Sequence, residues 1–238
     1  QDNFNHNISH ALLFGFAVPF TNTGVMLSAP LGDMAGIDLA VVNGWDNVKD
    51  NNNSPSIMGG FGLTPSDMIS TYVAAIYGGE SDPIDGTKAP GAAGAGEKRF
   101  AVTANATLTL SEQFSVVVDS VYGSEGGIVS ATDGDFVRNG KWYGLGTYLL
   151  FDASDCLSFA LRSEVFDDEG ARESFGAVAS ERVTVWEVTP TVALKLGDHV
   201  TLRAEYRHDE ASQPIYAVAD GNPKDSWDTV AAEIILGF

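Results

Sequence analysis

The chain has 238 residues, 32 of them acidic and 13 basic, giving a formal charge of -19 and a pI near 4.3 at a mean hydropathy of +0.01. That balance makes nucleic acid a poor partner and cations better ones. No apolar run approaches the roughly 20 residues of a membrane-spanning helix; the longest, Ala11 to Phe20, carries Gly15 and Pro19. A single cysteine, Cys156, excludes an internal disulfide, a CxxCH haem attachment and a Cys-rich metal site.

Residues 1 to 20 open polar, with histidines and asparagines interleaved, and then turn apolar. From Thr21 the chain settles into strand, short turn, strand, long loop. Gly24 to Pro30 and Gly36 to Asn43 flank a tight turn at Leu31 to Asp33, and Ser56 to Leu63 and Met68 to Tyr77 flank TPSD. Phe100 to Leu110 shows the plainest alternation, apolar on even numbers against Thr103, Asn105 and Thr107, and Phe114 to Tyr122 continues it. Tyr143 to Phe151 and Leu157 to Phe166 are joined by DASD, and Val183 to Leu196 and Val200 to His208 by Gly197 and Asp198. The last stretch, Asp225 to Phe238, again has period two, with Val230, Ala232, Ile234, Leu236 and Phe238 on one face.

These are roughly eleven strands, with short turns at one end and long polar loops, such as 123 to 140, at the other. The pattern predicts an all-β, antiparallel, up-and-down transmembrane β-barrel with short periplasmic turns and long external loops over residues 21 to 238. Near-zero hydropathy fits, because half of each strand faces inward. A soluble β-sandwich is the competing reading, and it mixes loop lengths and uses crossovers. Counting strands back from a periplasmic C-terminus makes Gly24 to Pro30 run downward. Either Ile8 to Val18 supplies a twelfth strand, or residues 1 to 20 form a loop or constriction segment and the chain is part of a larger barrel of about 16 strands.

With the apolar parity facing lipid, the other parity lines the lumen: Arg162, Glu164, Glu187, Lys195, Arg203, Glu205, Arg207 and Glu233 are the candidate pore-lining residues. Neighbouring strands put both signs on one face, within reach of cross-strand pairs. A dry β-core holds that many ionised groups only at large desolvation cost, whereas a water-filled lumen holds them readily. A salt-bridged, plugged interior is the alternative. Acidic loop stretches offer weak divalent-cation candidates, Asp133 and Asp135 in ATDGDF and Asp167 and Asp168 in FDDEG, read here as solvated loop charge because no complete calcium loop is spelled. His6 and His10 read as polar loop residues. Trp45, Trp142, Tyr122, Tyr143, Tyr206 and Phe151, near strand ends, are expected in aromatic girdles. No GxSxG accompanies His208 and Asp209, so no enzyme and no cofactor is expected.

NISHALLFGFAVPFTNTGV at Asn7 to Val25, VVNGWDN at Val41 to Asn47, LRSEVFDDEG at Leu161 to Gly170, LRAEYRHDEAS at Leu202 to Ser212 and the closing Phe238 together resemble the outer-membrane β-barrel porins of the OmpL-like group. The resemblance implies a porin of the bacterial outer membrane, in contact with lipid and lipopolysaccharide, passing small hydrophilic or charged solutes, alone or as a homo-oligomer. In that family the stretch like Asn7 to Val25 follows further barrel strands, which this chain lacks. The second function expected is a barrel sleeve or anchor for a partner protein, such as an electron-carrying or periplasmic component.

Overall fold

A computed structural model describes residues 5–50, 53–80, 98–129, 136–169, 182–218 and 221–237. Eleven strands form one sheet in strict chain order: β1 Gly24–Leu31, β2 Ala35–Val42, β3 Ser56–Ser66, β4 Ile69–Gly79, β5 Lys98–Thr109, β6 Phe114–Val129, β7 Phe136–Ser154, β8 Leu157–Asp168, β9 Val183–Leu196, β10 Val200–Ala211 and β11 Ser226–Leu236. Every neighbouring pair is antiparallel. This is the up-and-down meander that the alternation of turns and loops dictates. Two of the short turns pivot on glycines with positive φ, Gly32 at 72° and Gly197 at 70°, a conformation that costs glycine nothing.

Each strand sorts its side chains by parity. Along β9, Val183, Val185, Glu187, Thr189 and Thr191 are buried while Trp186 and Pro190 are exposed. Outward-facing Leu27, Leu39, Ile57, Val73, Leu149, Leu161, Val230 and Ile234 make an exposed apolar band. Such a band is the solvent-side surface of a sheet whose solvent is hydrocarbon. The buried residues lie on the opposite, concave face, where polar and charged groups mix with a small apolar cluster.

Among the described residues, β1 pairs with β2 alone and β11 with β10 alone. Because their number is odd, these two outermost strands run in the same direction.

Two expectations change, and one of two open alternatives falls away. The stretch 123 to 140, read as a loop, extends the ladder instead: β6 runs to Val129 and β7 starts at Phe136, with irregular register at Ile128 and Val129. Cross-strand pairing overrides the Gly-rich composition there. Ile8 to Val18 adds no strand; it holds bends and one π-helical turn, Leu13–Ala17. Trp45 and Trp142 do not join an outer girdle, since both are buried on the inner side, Trp142 completely. Trp142 shares the parity of Gly144 and Gly146, which turns its ring inward, whereas Tyr122, Phe151 and Tyr206 are exposed on the outer face.

Candidate functional site: the lumen wall and the segment laid across it

Strand pleating places Arg162 and Glu164 of β8, Glu187 and Thr189 of β9, and Arg203, Glu205 and Arg207 of β10 on one inner surface, with Glu233 of β11 beside Arg203. Arg162 is 2% exposed and sits at the centre. Its Nε donates to Glu187 Oε1 at 2.7 Å and its Nη2 to Thr189 Oγ1 at 3.3 Å, with Glu164 Oε2 3.6 Å from Nε. A buried guanidinium is tolerable only when its donors are met, and the remaining ones reach Ser9, whose carbonyl accepts from Nη1 at 2.7 Å and whose hydroxyl lies 3.0 Å from Nη2.

Ser9 belongs to the stretch running from Asn5 to Phe20, which lies against this wall and is tied to it at successive points. Glu205 accepts the backbone N–H groups of Ile8 at 2.6 Å and Ser9 at 2.9 Å, and Thr191 Oγ1 donates to it at 2.7 Å. One turn of chain later, Glu164 accepts the N–H groups of Leu12 at 2.5 Å and Leu13 at 3.3 Å. Arg203 donates to Asn5 O and, at 2.7 Å, to Glu233 Oε2. Arg207 donates to His10 O at 2.6 Å and pairs with Asp209 at 2.5 Å. Asn7 Nδ2 donates to Thr191 Oγ1 at 2.7 Å. The wall carboxylates thus take the segment's N–H groups and the wall arginines its carbonyls, so the backbone of an irregular stretch is satisfied without a strand partner.

The apolar half of the segment is held by shape. Leu12, Leu13 and Ala17 pack with Trp142, Phe166 and Val185, all buried. Trp142 Nε1 donates to Ala17 O at 3.0 Å, and Trp45 meets the Trp142 ring edge to face at 6.0 Å. Two glycines leave the room: a Cβ on Gly144 would stand 2.1 Å from Leu13 Cδ2, and one on Gly123 2.0 Å from the Trp142 ring. Tyr216, from the stretch after β10, packs on this cluster, and burial pushes its phenol up to about 12.

Of the candidate lumen residues, Arg162, Glu164, Glu187, Arg203, Glu205, Arg207 and Glu233 are brought into one network. Lys195 stands apart; it is exposed near the short-turn end and forms no ion pair among the described residues. Asp133 and Asp135 lie outside the described residues. Asp167 and Asp168 are not solvated loop charges: both are buried at the end of β8, and Asp167 accepts from Arg182 Nε at 2.9 Å and Thr184 Oγ1 at 2.7 Å. Inward-facing Asp119 of β6 and Asp152 of β7 went unremarked in the sequence, although Asp119 sits on the polar parity of its strand.

Among the described residues, two cavities stand beside the segment. The lower, about 500 Å³, is lined by Asp152, Lys195, Asp198, His199 and Arg203 at the short-turn end. The upper, about 560 Å³, lies between His10 and Phe14 of the segment and Val117, Asp119, Tyr148 and Arg162 of the wall. Asn5 and His6 line both.

The fold is that of known outer-membrane channels. The outer membrane channel DcaP of Acinetobacter baumannii superposes with a TM-score of 0.63 at 12% identity, over 98% of this chain and 68% of that one. OmpT, an outer membrane protein of Vibrio cholerae, gives 0.54 at 10% identity, over 90% of this chain and 64% of its own. No curated protein matches the sequence. A model of the family described as beta-barrel porin-2, OmpL-like, matches residues 2–238, and the chain belongs to that family, a porin-like channel protein of the bacterial outer membrane.

Proposed function

We propose that the chain forms the wall of a water-filled channel for small hydrophilic or charged solutes, with residues 1 to 20 as its constriction segment and residues 21 to 238 as the barrel. The observation that carries this reading is the pair of carboxylates, Glu164 and Glu205, each accepting two consecutive backbone amides of one segment that crosses the concave face. Of the eight candidate residues, Arg162, Glu164, Arg203, Glu205 and Arg207 then act as anchors that fix how far the segment projects, Glu187 and Glu233 brace those arginines, and Lys195 is the one of the eight left exposed. Beside the segment stand cavities of about 500 and 560 Å³, roomy enough for hydrated ions and small metabolites.

Hydrocarbon offers no partner to a strand edge, so a membrane-spanning wall must pair every strand. As β1 and β11 run in the same direction, antiparallel closure takes an odd number of further strands between them, whichever polypeptide carries them. A barrel of about 16 strands meets that condition. Planar-bilayer recording of the purified protein tests the channel: stepwise conductance increments are expected, and their absence from correctly folded protein sinks it.

A further inference from the structure

We propose that Asp119, which has no part in anchoring the segment, gives this channel a preference for small cations, inorganic or amine-bearing; the proposal rests on the channel reading above. Asp119 lies midway along β6, opposite Asn105 of β5 and Gly146 of β7, and faces the upper cavity of about 560 Å³. Gly146 has no side chain to offer it. Among the described residues no cation comes within ion-pair distance of its carboxylate, and no hydrogen-bond donor reaches it.

The wall's positive charges are placed differently. Arg99 lies 2.5 Å from Glu125, Arg162 2.7 Å from Glu187, Arg203 2.5 Å from Glu233 and Arg207 2.5 Å from Asp209. Arg162, the guanidinium that borders the upper cavity, also donates to both polar groups of Ser9. The other carboxylates facing the segment, Glu164 and Glu205, lie beneath it and are buried. Lys195 is in the lower cavity together with Asp152 and Asp198. A solute squeezing between segment and wall therefore meets one uncompensated charge at the upper cavity, a carboxylate, beside the ring of Tyr148, whose face also favours cations. A narrow passage between low-dielectric walls strengthens the field of such a charge.

The test is the reversal potential of single channels in a KCl gradient, for the wild type and for Asp119→Asn, which keeps the side chain's size and removes its charge. One unit charge seen across about 10 Å of water changes ion occupancy about twofold, so the cation-to-anion permeability ratio is expected to fall about twofold or more with conductance steps retained. Asp119→Ser serves as a second neutral variant should the first assemble poorly. Asp33→Asn, in the β1–β2 turn, removes the same net charge away from the cavity and is expected to leave the ratio unchanged. An unaltered reversal potential in conducting Asp119→Asn channels, or an equal shift from Asp33→Asn, overturns the proposal while the channel reading stands. A folded wild type that gives no conductance steps overturns both.

Discussion

Glu205→Gln perturbs the clamp on the segment proposed as the constriction with the least change in shape. The native carboxylate presents two acceptor oxygens, one to Ile8 N–H at 2.6 Å and one to Ser9 N–H at 2.9 Å, and Glu205 itself is only 5% exposed. An amide keeps one acceptor and turns an NH2 group on the other N–H, so one charge-assisted bond is lost and two donors face each other. A hydrogen bond to a charged group contributes about 1.5–3 kcal/mol, which corresponds to a rise of about 10- to 150-fold in the fraction of molecules with this point of the segment released. Hydrogen exchange reads that fraction at the amides of Ile8 and Ser9, and single-channel recording reads it as added open-state noise and larger conductance. Glu164→Gln should act likewise on Leu12 and Leu13, and the double variant should show both effects. If Glu205→Gln assembles normally and its Ile8 and Ser9 amides exchange at the wild-type rate, the carboxylate does not hold the segment and the reasoning fails.

Other perturbations test the remaining contacts. Gly144→Val puts a branched side chain where even a Cβ stands 2.1 Å from Leu13 Cδ2; the segment should be displaced, seen as raised proteolytic sensitivity near Leu13 in an assembled barrel. Trp142→Phe removes the 3.0 Å bond to Ala17 O, worth about 0.5–1.5 kcal/mol net, and should raise amide exchange in the π-helical turn by about tenfold or less. Leu161→Arg, on the outer face of a central strand, should lower folding stability in lipid vesicles by about 2–4 kcal/mol if its site lies near the midplane. Asn105→Arg, exposed on the inner parity of β5, should cost little, and equal costs would refute the assignment of lipid and lumen faces.

Much of the fold was legible because parity is a local property. In β9 the alternation alone set the limits Val183 to Leu196, and the burial of Glu187, Thr189 and Thr191 against exposed Trp186 and Pro190 follows the same alternation. The inner charges of β8 and β10 were legible for the same reason. What they touch was not, because Glu205 and Ile8 stand 197 positions apart and Glu164 and Leu12 152 apart, and the segment has no period of its own. Trp142 was misjudged from its place near a strand end, although its shared parity with two glycines carried the right signal: small residues on the inner face leave space that a large one fills. The arms of β6 and β7 beyond Gly123 were misjudged because glycine and polar residues weaken strand propensity, while pairing such as Ile128 with Arg138 is a property of two strands together.

The two halves of the inner wall are built differently, and in the proposed channel this directs where a solute would go. On β8 to β10 the inner face carries paired charges, and a charged wall left bare would hold a hydration layer of its own; here backbone donors and acceptors of the segment take the place of that water, so this side is filled. On β1 to β4 the inner face carries no arginine or lysine; toward the short turns it is small, Gly36, Gly60, Gly62 and Ala74, with Met26, Val42, Met58 and Ile76 toward the other end and one large ring, Tyr72, lying so close over Gly60 that a Cβ there would stand 2.0 Å from its hydroxyl, which donates to Asp38 at 2.7 Å. Between them β6 and β7 carry half-buried Asp119 and Tyr148 and exposed Asp152, none of which anchors the segment, and both cavities open against these strands. Anchoring the segment on the charged side therefore does more than narrow the lumen. In the proposed channel it would push the passage toward the side where Asp119 and Asp152 stand, so that removing the anchors should change selectivity as well as conductance. In the Glu164→Gln, Glu205→Gln double variant, a widened channel that keeps the full wild-type permeability ratio would separate the two effects and break this link.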